Sequence, residues 1–283
     1  MRNLPYHTHK HEDLTIEGYS RAAVQSYWRV PELKVGFELG AQPWSFMGTS
    51  RWFVTHSHLD HIAALPVYVA RRRMMKMSPP TIYLPADTVP LVEKLLKVFS
   101  RLDRGRLPCE LVGVKPGDEI ELSREHVMTV HQTQHTITSV GYLAWERRRK
   151  LKQEYRELSG DQIRDLKFAG TEVTQEFRSP LVAFLGDSTP AGLDENPDFY
   201  EAKVLIAEMT FVASRHRKEK IHRFGHIHLD DFLERREKFK NELIIASHFS
   251  TRYNERDVQN IVCKKVPDLF DGRMLLWMTE RKR

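Results

Sequence analysis

The sequence predicts an α/β sandwich whose sheets are covered by helices. Short apolar runs, β-branched or aromatic and bounded by turn residues, recur along the chain and read as buried strands. Longer helix-like stretches lie between them, and such a mixture calls for layers of both kinds. Histidine and carboxylate residues also follow directly after several strand-like runs, which puts them at a common edge. With 41% hydrophobic residues in 283, the chain can fill one large core, so a single domain over 1–283 is expected.

In chain order, His7, His9 and His11 come first, at alternating spacing; their polar surroundings assign them to a solvated terminus. The first firm strand is 51–55, built on Trp52, Phe53 and Val54. Helix-like stretches at 67–75 and 88–100 precede a strand at 127–132. From 146 to 179 the chain turns strongly polar, beginning with Arg147, Arg148, Arg149, Lys150 and Lys152, and it reads as an insertion or reduced arm. Strands resume at 181–185, 204–207 and 243–246, accompanied by helix-like stretches at 230–240 and 255–264.

Charge and cysteine usage narrow the partners. Lys and Arg outnumber Asp and Glu by 44 to 38, and the resulting pI near 9.2 favours an acidic partner such as nucleic acid. Further basic runs, Arg71-Arg72-Arg73 with Lys76 and the group Arg215, Arg217, Lys218, Lys220 and Arg223, are of the kind that is usually a solvated face. Beside a phosphodiester site they could bind an RNA backbone. Cys109 and Cys263 are too few for a disulfide framework and lack the spacing of a thiolate metal site, which suits a reducing compartment. No apolar run reaches 18 residues and the N-terminus lacks an apolar signal core. A cytoplasmic protein with no membrane partner is therefore expected.

The stretch Thr55-His56-Ser57-His58-Leu59-Asp60-His61 carries the most chemistry. His56 and His58 are two apart, so an extended backbone projects both imidazoles to one side. If the chain then turns, Asp60 and His61 face a second point nearby, and N and O donors of this kind suit zinc. Two ions need more ligands. His135, Asp187 and His248 each end another apolar run, as a site on loops at one sheet edge requires. Glu208 ends a strand too; a carboxylate bonded to a histidine raises its basicity and sets its tautomer. The available partners are in Gly225-His226-Ile227-His228.

His56-Ser57-His58-Leu59-Asp60-His61 is similar to the HxHxDH signature of the metallo-β-lactamase superfamily, which implies an αββα four-layer sandwich and a two-metal site. Phe184-Leu185-Gly186-Asp187-Ser188-Thr189, Glu208-Met209-Thr210-Phe211 and Ser247-His248-Phe249-Ser250-Thr251-Arg252-Tyr253 resemble ribonuclease Z motifs in order, the short plant type most. So does His135-Thr136-Ile137-Thr138-Ser139-Val140-Gly141-Tyr142, while Leu65-Pro66-Val67-Tyr68-Val69-Ala70 and Gly225-His226-Ile227-His228 are further stretches similar to the short plant type.

The resemblance implies a zinc-dependent endoribonuclease that removes the 3′ trailer of precursor tRNA and commonly acts as a homodimer. By position, His56, His58 and His135 would hold one zinc, Asp60, His61 and His248 the other, and Asp187 would bridge the two ions. Asp60 would aid the attacking hydroxide, while Glu208 and His226 would match the pair that protonates the leaving 3′ oxygen. Ser250, Arg252 and Tyr253 would lie near the scissile phosphate. Independently of the resemblance, the five like charges Arg147, Arg148, Arg149, Lys150 and Lys152 would repel one another, and neutralisation by phosphate gives them a use in binding the tRNA body. Two departures stand out. Phe37-Glu38-Leu39-Gly40 has Glu where the family has Asp, and the family's extended arm with a Gly-Pro-rich tip is replaced by 146–179. The competing readings are a small-molecule phosphodiesterase on the same fold and a noncatalytic RNA-binding relative.

Overall fold

The computed structural model describes residues 4–214 and 217–278. Two seven-stranded sheets lie face to face, each with its strands in chain order. The first contains β1 (His7–His11), β2 (Leu14–Arg21), β3 (Gln25–Val30), β4 (Val35–Phe37), β5 (Arg51–Phe53), β6 (Thr81–Pro85) and β7 (Glu110–Val114). The second contains β8 (Glu119–Glu121), β9 (His126–Gln132), β10 (Val140–Leu151), β11 (Thr174–Phe184), β12 (Val204–Glu208), β13 (Leu243–Ser247) and β14 (Met274–Leu276). Each sheet begins antiparallel and ends parallel, from β4 to β7 and from β11 to β14.

Parallel strands covered on both faces need near-continuous apolar sequence, and β12 and β13 are buried at every position. Their side chains alternate as the pleat demands. Val204, Ile206, Leu243 and Ile245 meet Val35, Phe37 and Phe53 in a core between the sheets. Leu205, Ala207, Ile244 and Ala246 point the other way into a core that includes Phe232 and Val258 of flanking helices. On the far side, Trp52, Ile82 and Leu84 pack on Leu65, Tyr68, Val69, Val92 and Leu96 from the helices Leu65–Met74 and Val89–Leu102. Three cores separate four layers, which is the αββα sandwich. Phe37 and Phe184 stack across the inner core at 4.5 Å, binding the ends of β4 and β11 just below Glu38 and Asp187.

Several expectations need correction. His7–His11 is an edge strand paired with β2 rather than a free terminus; its polar side chains gave no apolar alternation because this strand is largely exposed. The helix expected over 230–240 stops at Glu234, followed by a separate 3-10 turn at Arg236–Lys238. The segment 146–179 is a built arm. Beyond Glu146, β10 pairs with β11 alone, from Arg147↔Arg178 to Leu151↔Thr174, so a two-stranded ribbon of about five residues, roughly 17 Å long, leaves the sheet. Its tip carries the helix Gly160–Phe168, started by a reciprocal Ser159/Gln162 cap.

Candidate metal centre

The first sheet supplies one half of the centre. After β5 an irregular stretch carries His56, and His58, itself extended, then starts the short helix Leu59–Ile62, which swings Asp60 and His61 round. The second sheet supplies the other half from the ends of its strands: His135 after β9, Asp187 after β11, Glu208 at the end of β12 and His248 after β13. Asp187 is reached through Gly186 at φ +69°, where an added Cβ would lie 2.6 Å from Thr55 Oγ1. Only glycine permits both that backbone and that approach. Glu38 and His248 hold φ near +60° without being glycine, a cost that clusters at functional sites.

The structure brings His56, His58 and His135 into a triangle, with ring centroids 4.8–4.9 Å apart and His135 Nε2 3.1 Å from His58 Nδ1. Asp60, His61 and His248 form a second group, in which Asp60 Oδ2 is 3.7 Å from His61 Nε2 and 3.5 Å from His248 Nε2. Asp187 Oδ2 lies between the groups, 3.9 Å from His56 Nε2 and 3.5 Å from both His61 Nε2 and His248 Nε2.

This arrangement passes a test for cations. His56 Nε2, His61 Nε2 and His248 Nε2 are buried without a hydrogen-bond partner, an arrangement folded proteins avoid unless something else fills the role. Burial pushes His56, His58 and His135 below the ordinary histidine value, so these rings are neutral and can ligate. His61 goes the other way: burial opposes its charge, but Asp187 and Glu38 outweigh burial and raise it. The proton there answers the same carboxylates a metal ion would. Burial likewise opposes ionisation of Asp187 and Asp60, yet the adjacent histidines hold Asp187 well below the carboxylate range and Asp60 at about 2.

Two buried glutamates stand behind these groups. Glu38 accepts from Thr55 N and Oγ1 and lies 3.3 Å from His61 Nδ1. Glu208 accepts from Ser188 N, Thr210 N and Ile227 N and receives His226 Nδ1 at 2.9 Å. Burial works against charge on His226, but Glu208 overcomes it and holds the ring at about 9. His226 faces the centre, 5.2 Å from the His135 ring and 5.9 Å from the His248 ring. His228 does not: it is buried, its Nδ1 accepts from Asp230 N and its Nε2 meets Ala213 O, so it caps the following helix.

The remaining expected residues divide. Ser250 and Arg252 lie on the loop after His248, where Arg252 is exposed and Ser250 Oγ accepts from Arg252 N. Tyr253 follows on the same loop, its ring packed in the outer core of the second sheet and its hydroxyl accepting from Ala213 N. Arg147 to Lys152 lie on or next to the ribbon, seven or more residues along β10 from the Val140 end that touches Thr55, or upward of about 20 Å. Four of the five basic residues have partners that offset their mutual repulsion: Arg147 with Glu121 at 2.6 Å, Arg148 with Glu146 at 2.6 Å, Arg149 with Glu172 at 3.5 Å and Lys150 over Phe177. Arg215 lies outside the described residues. Thr55 and Thr210 were not anticipated; the available signal was a threonine at a strand end, one residue before His56 or two after Glu208.

A helix–sheet–sheet–helix sandwich with a centre rich in histidine and carboxylate groups at one edge defines a metal-binding hydrolase of the β-lactamase superfamily, and residues 51–249 match the β-lactamase superfamily domain. The chain is 37% identical over 265 residues to tRNase Z TRZ1 of Arabidopsis thaliana, covering 93% of this chain and 94% of that protein. It is 35% identical over 255 residues to the chloroplastic tRNase Z TRZ2 of the same plant, covering 89% and 72%. The chain belongs to the ribonuclease Z (tRNase Z) family. Solved structures agree on the fold: the metallo-β-lactamase fold protein YhfI from Bacillus subtilis superposes with a TM-score of 0.63 at 13% identity, covering 93% of this chain and 95% of that one. The human short-form tRNase Z gives 0.54 at 15% identity, covering 88% and 92%.

Proposed function

We propose that this chain is a two-zinc endoribonuclease that cuts the 3′ trailer from precursor tRNA and leaves a 3′-hydroxyl tRNA. The observation that carries the reading is the convergence of two three-residue groups on Asp187, within a chain that aligns with tRNase Z over nearly its whole length. His56, His58 and His135 would hold one ion, Asp60, His61 and His248 the other, and Asp187 both. When bound, such ions supply a hydroxide nucleophile near neutral pH and Lewis acidity toward a phosphate oxygen.

The protein's own groups account for the rest. Asp60, ionised and held by Ala23 N at 2.8 Å, orients the water that attacks phosphorus. His226, kept protonated by Glu208, gives its proton to the departing 3′ oxygen. Arg252 and Ser250 hold the phosphate being cut. The ribbon's Arg148, Arg149, Lys150 and Lys152 bind tRNA backbone far from the cut, a use that a small-molecule phosphodiesterase would not need.

We further propose a cytoplasmic homodimer in which the chain acts as one domain. Its free cysteines suit a reducing compartment, and the described residues include no helix able to cross a membrane. Support for the dimer comes from the helix Val89–Leu102, where Leu91, Leu95, Val98 and Leu102 are 65%, 39%, 54% and 74% exposed at the spacing of a helix-packing seam.

The test is incubation with a precursor tRNA and with a small phosphodiester, each with and without chelator, alongside elemental analysis. Two zinc ions per chain and chelator-sensitive release of the trailer are expected, with Asp187→Ala losing both metal and activity. Cleavage of the small substrate alone would favour the general phosphodiesterase; RNA binding without metal or cleavage would favour the noncatalytic relative.

A further inference from the structure

Two buried hydroxyls, Thr55 and Thr210, have no task in the chemistry above, yet they occupy matching places in the two halves of the centre. Thr55 Oγ1 donates to Glu38 and lies 2.9 Å from His56 Nδ1. Thr210 Oγ1 donates to Glu208 and lies 3.1 Å from His248 Nδ1. Both threonines are buried.

Proton counting gives this repetition a meaning. A hydroxyl has one proton to donate. With that proton on the carboxylate, the threonine oxygen can only accept from the ring, so Nδ1 is the protonated nitrogen of a neutral imidazole. The lone pair then falls on Nε2. His56 Nε2 and His248 Nε2 are both buried atoms without a hydrogen-bond partner, and both lie within 4 Å of Asp187 Oδ2.

We propose that Thr55 and Thr210 are positioning residues, each setting the tautomer and ring orientation of one histidine so that Nε2 meets a metal ion, one threonine per metal position. Glu38 and Glu208 anchor them, and each glutamate also meets a second histidine: Glu38 in an ion-pair contact 3.3 Å from His61 Nδ1, and Glu208 in a hydrogen bond with His226 Nδ1 at 2.9 Å. Glu208 therefore serves the proton donor with one oxygen and a metal position with the other.

The inference rests on the two-ion reading, and the experiment separates their failures. Zinc binding to the unmutated chain is titrated first against a chromophoric chelator; uptake of fewer than two ions defeats the two-ion reading itself. Thr55→Val and Thr210→Val, which keep shape and remove the hydroxyl, are then compared with Thr55→Ser and Thr210→Ser. Each valine is expected to weaken one of the two zinc equivalents by about 10–100-fold, the usual effect of losing such a partner, while the other stays within a few-fold and serine restores both. Nitrogen NMR of the metal-free, unmutated protein should show Nδ1–H on His56 and His248. Folded valine variants with two unchanged affinities, or serine variants as impaired as valine, would overturn the proposal. So would Nε2–H on either ring, a result that decides the matter even if a valine variant fails to fold.

Discussion

Under the proposed mechanism, replacing His226 with Ala separates the proton donor from the metal ligands. His226 Nδ1 is engaged by Glu208 at 2.9 Å, which leaves Nε2 to face substrate. Loss of general acid catalysis costs about 10²–10⁴-fold, or roughly 3–5 kcal/mol of barrier at about 1.4 kcal/mol per tenfold. That loss applies only where the leaving group needs a proton. The assay therefore compares precursor tRNA, whose leaving ribose oxygen is a poor anion, with bis(p-nitrophenyl) phosphate, whose nitrophenolate departs unprotonated. Single-turnover cleavage of the tRNA should fall by the full factor, the nitrophenyl ester by less than about tenfold, and zinc content should stay at its starting value. His226 also lies close enough to Asp187 and His248 to complete a further three-residue group. Loss of zinc in His226→Ala would thus show that it is a ligand, and an equal loss on both substrates would refute proton donation.

Three further perturbations have defined outcomes. Glu208→Gln removes the charge that overcomes burial and holds His226 at about 9; if the protonated ring is the donor, as proposed, the alkaline fall in cleavage rate should move to lower pH, measured at saturating zinc. Gly186→Ala forces a side chain into a left-handed backbone and onto Thr55; it should destabilise the fold by about 1–3 kcal/mol, read from the urea midpoint. Neutralising Arg148, Arg149, Lys150 and Lys152, while leaving Arg147 on Glu121, should weaken precursor-tRNA binding and lower the slope of log affinity against log salt by up to about 0.9 per lost phosphate contact. Hydrolysis of the nitrophenyl ester should not change; an equal loss on both substrates would point to a folding defect.

The apolar runs were legible because strands buried on both faces leave an unbroken signature, as in Val204–Glu208 and Leu243–Ser247. The histidines were legible because they come directly after those runs. The arm was seen only as a change in composition: a two-stranded ribbon with solvent on both faces has no apolar alternation to set it apart from a loop. β1 was missed for the same reason. Spacing alone does not separate His226 from His228; the resemblance favours His226 as the partner of Glu208, and the fold puts His226 on Glu208 while His228 caps a helix.

The centre is divided between sheets in a way that bears on synthesis. Under the proposed assignment, His56, His58, Asp60 and His61 are all made before β8 begins, yet neither set of three is complete without a residue of the second sheet, His135 for one and His248 for the other. Asp187 also belongs to that later half. A nascent chain, which emerges N-terminal half first, would hold at most two partners for each ion until the second sandwich layer has docked. Tight uptake would then report that both halves are folded and in register, and a free ion at a thousand times its dissociation constant would add about 4 kcal/mol against their separation. Metal loading would act as the final checkpoint of folding, at the point where the enzyme first becomes able to cut RNA.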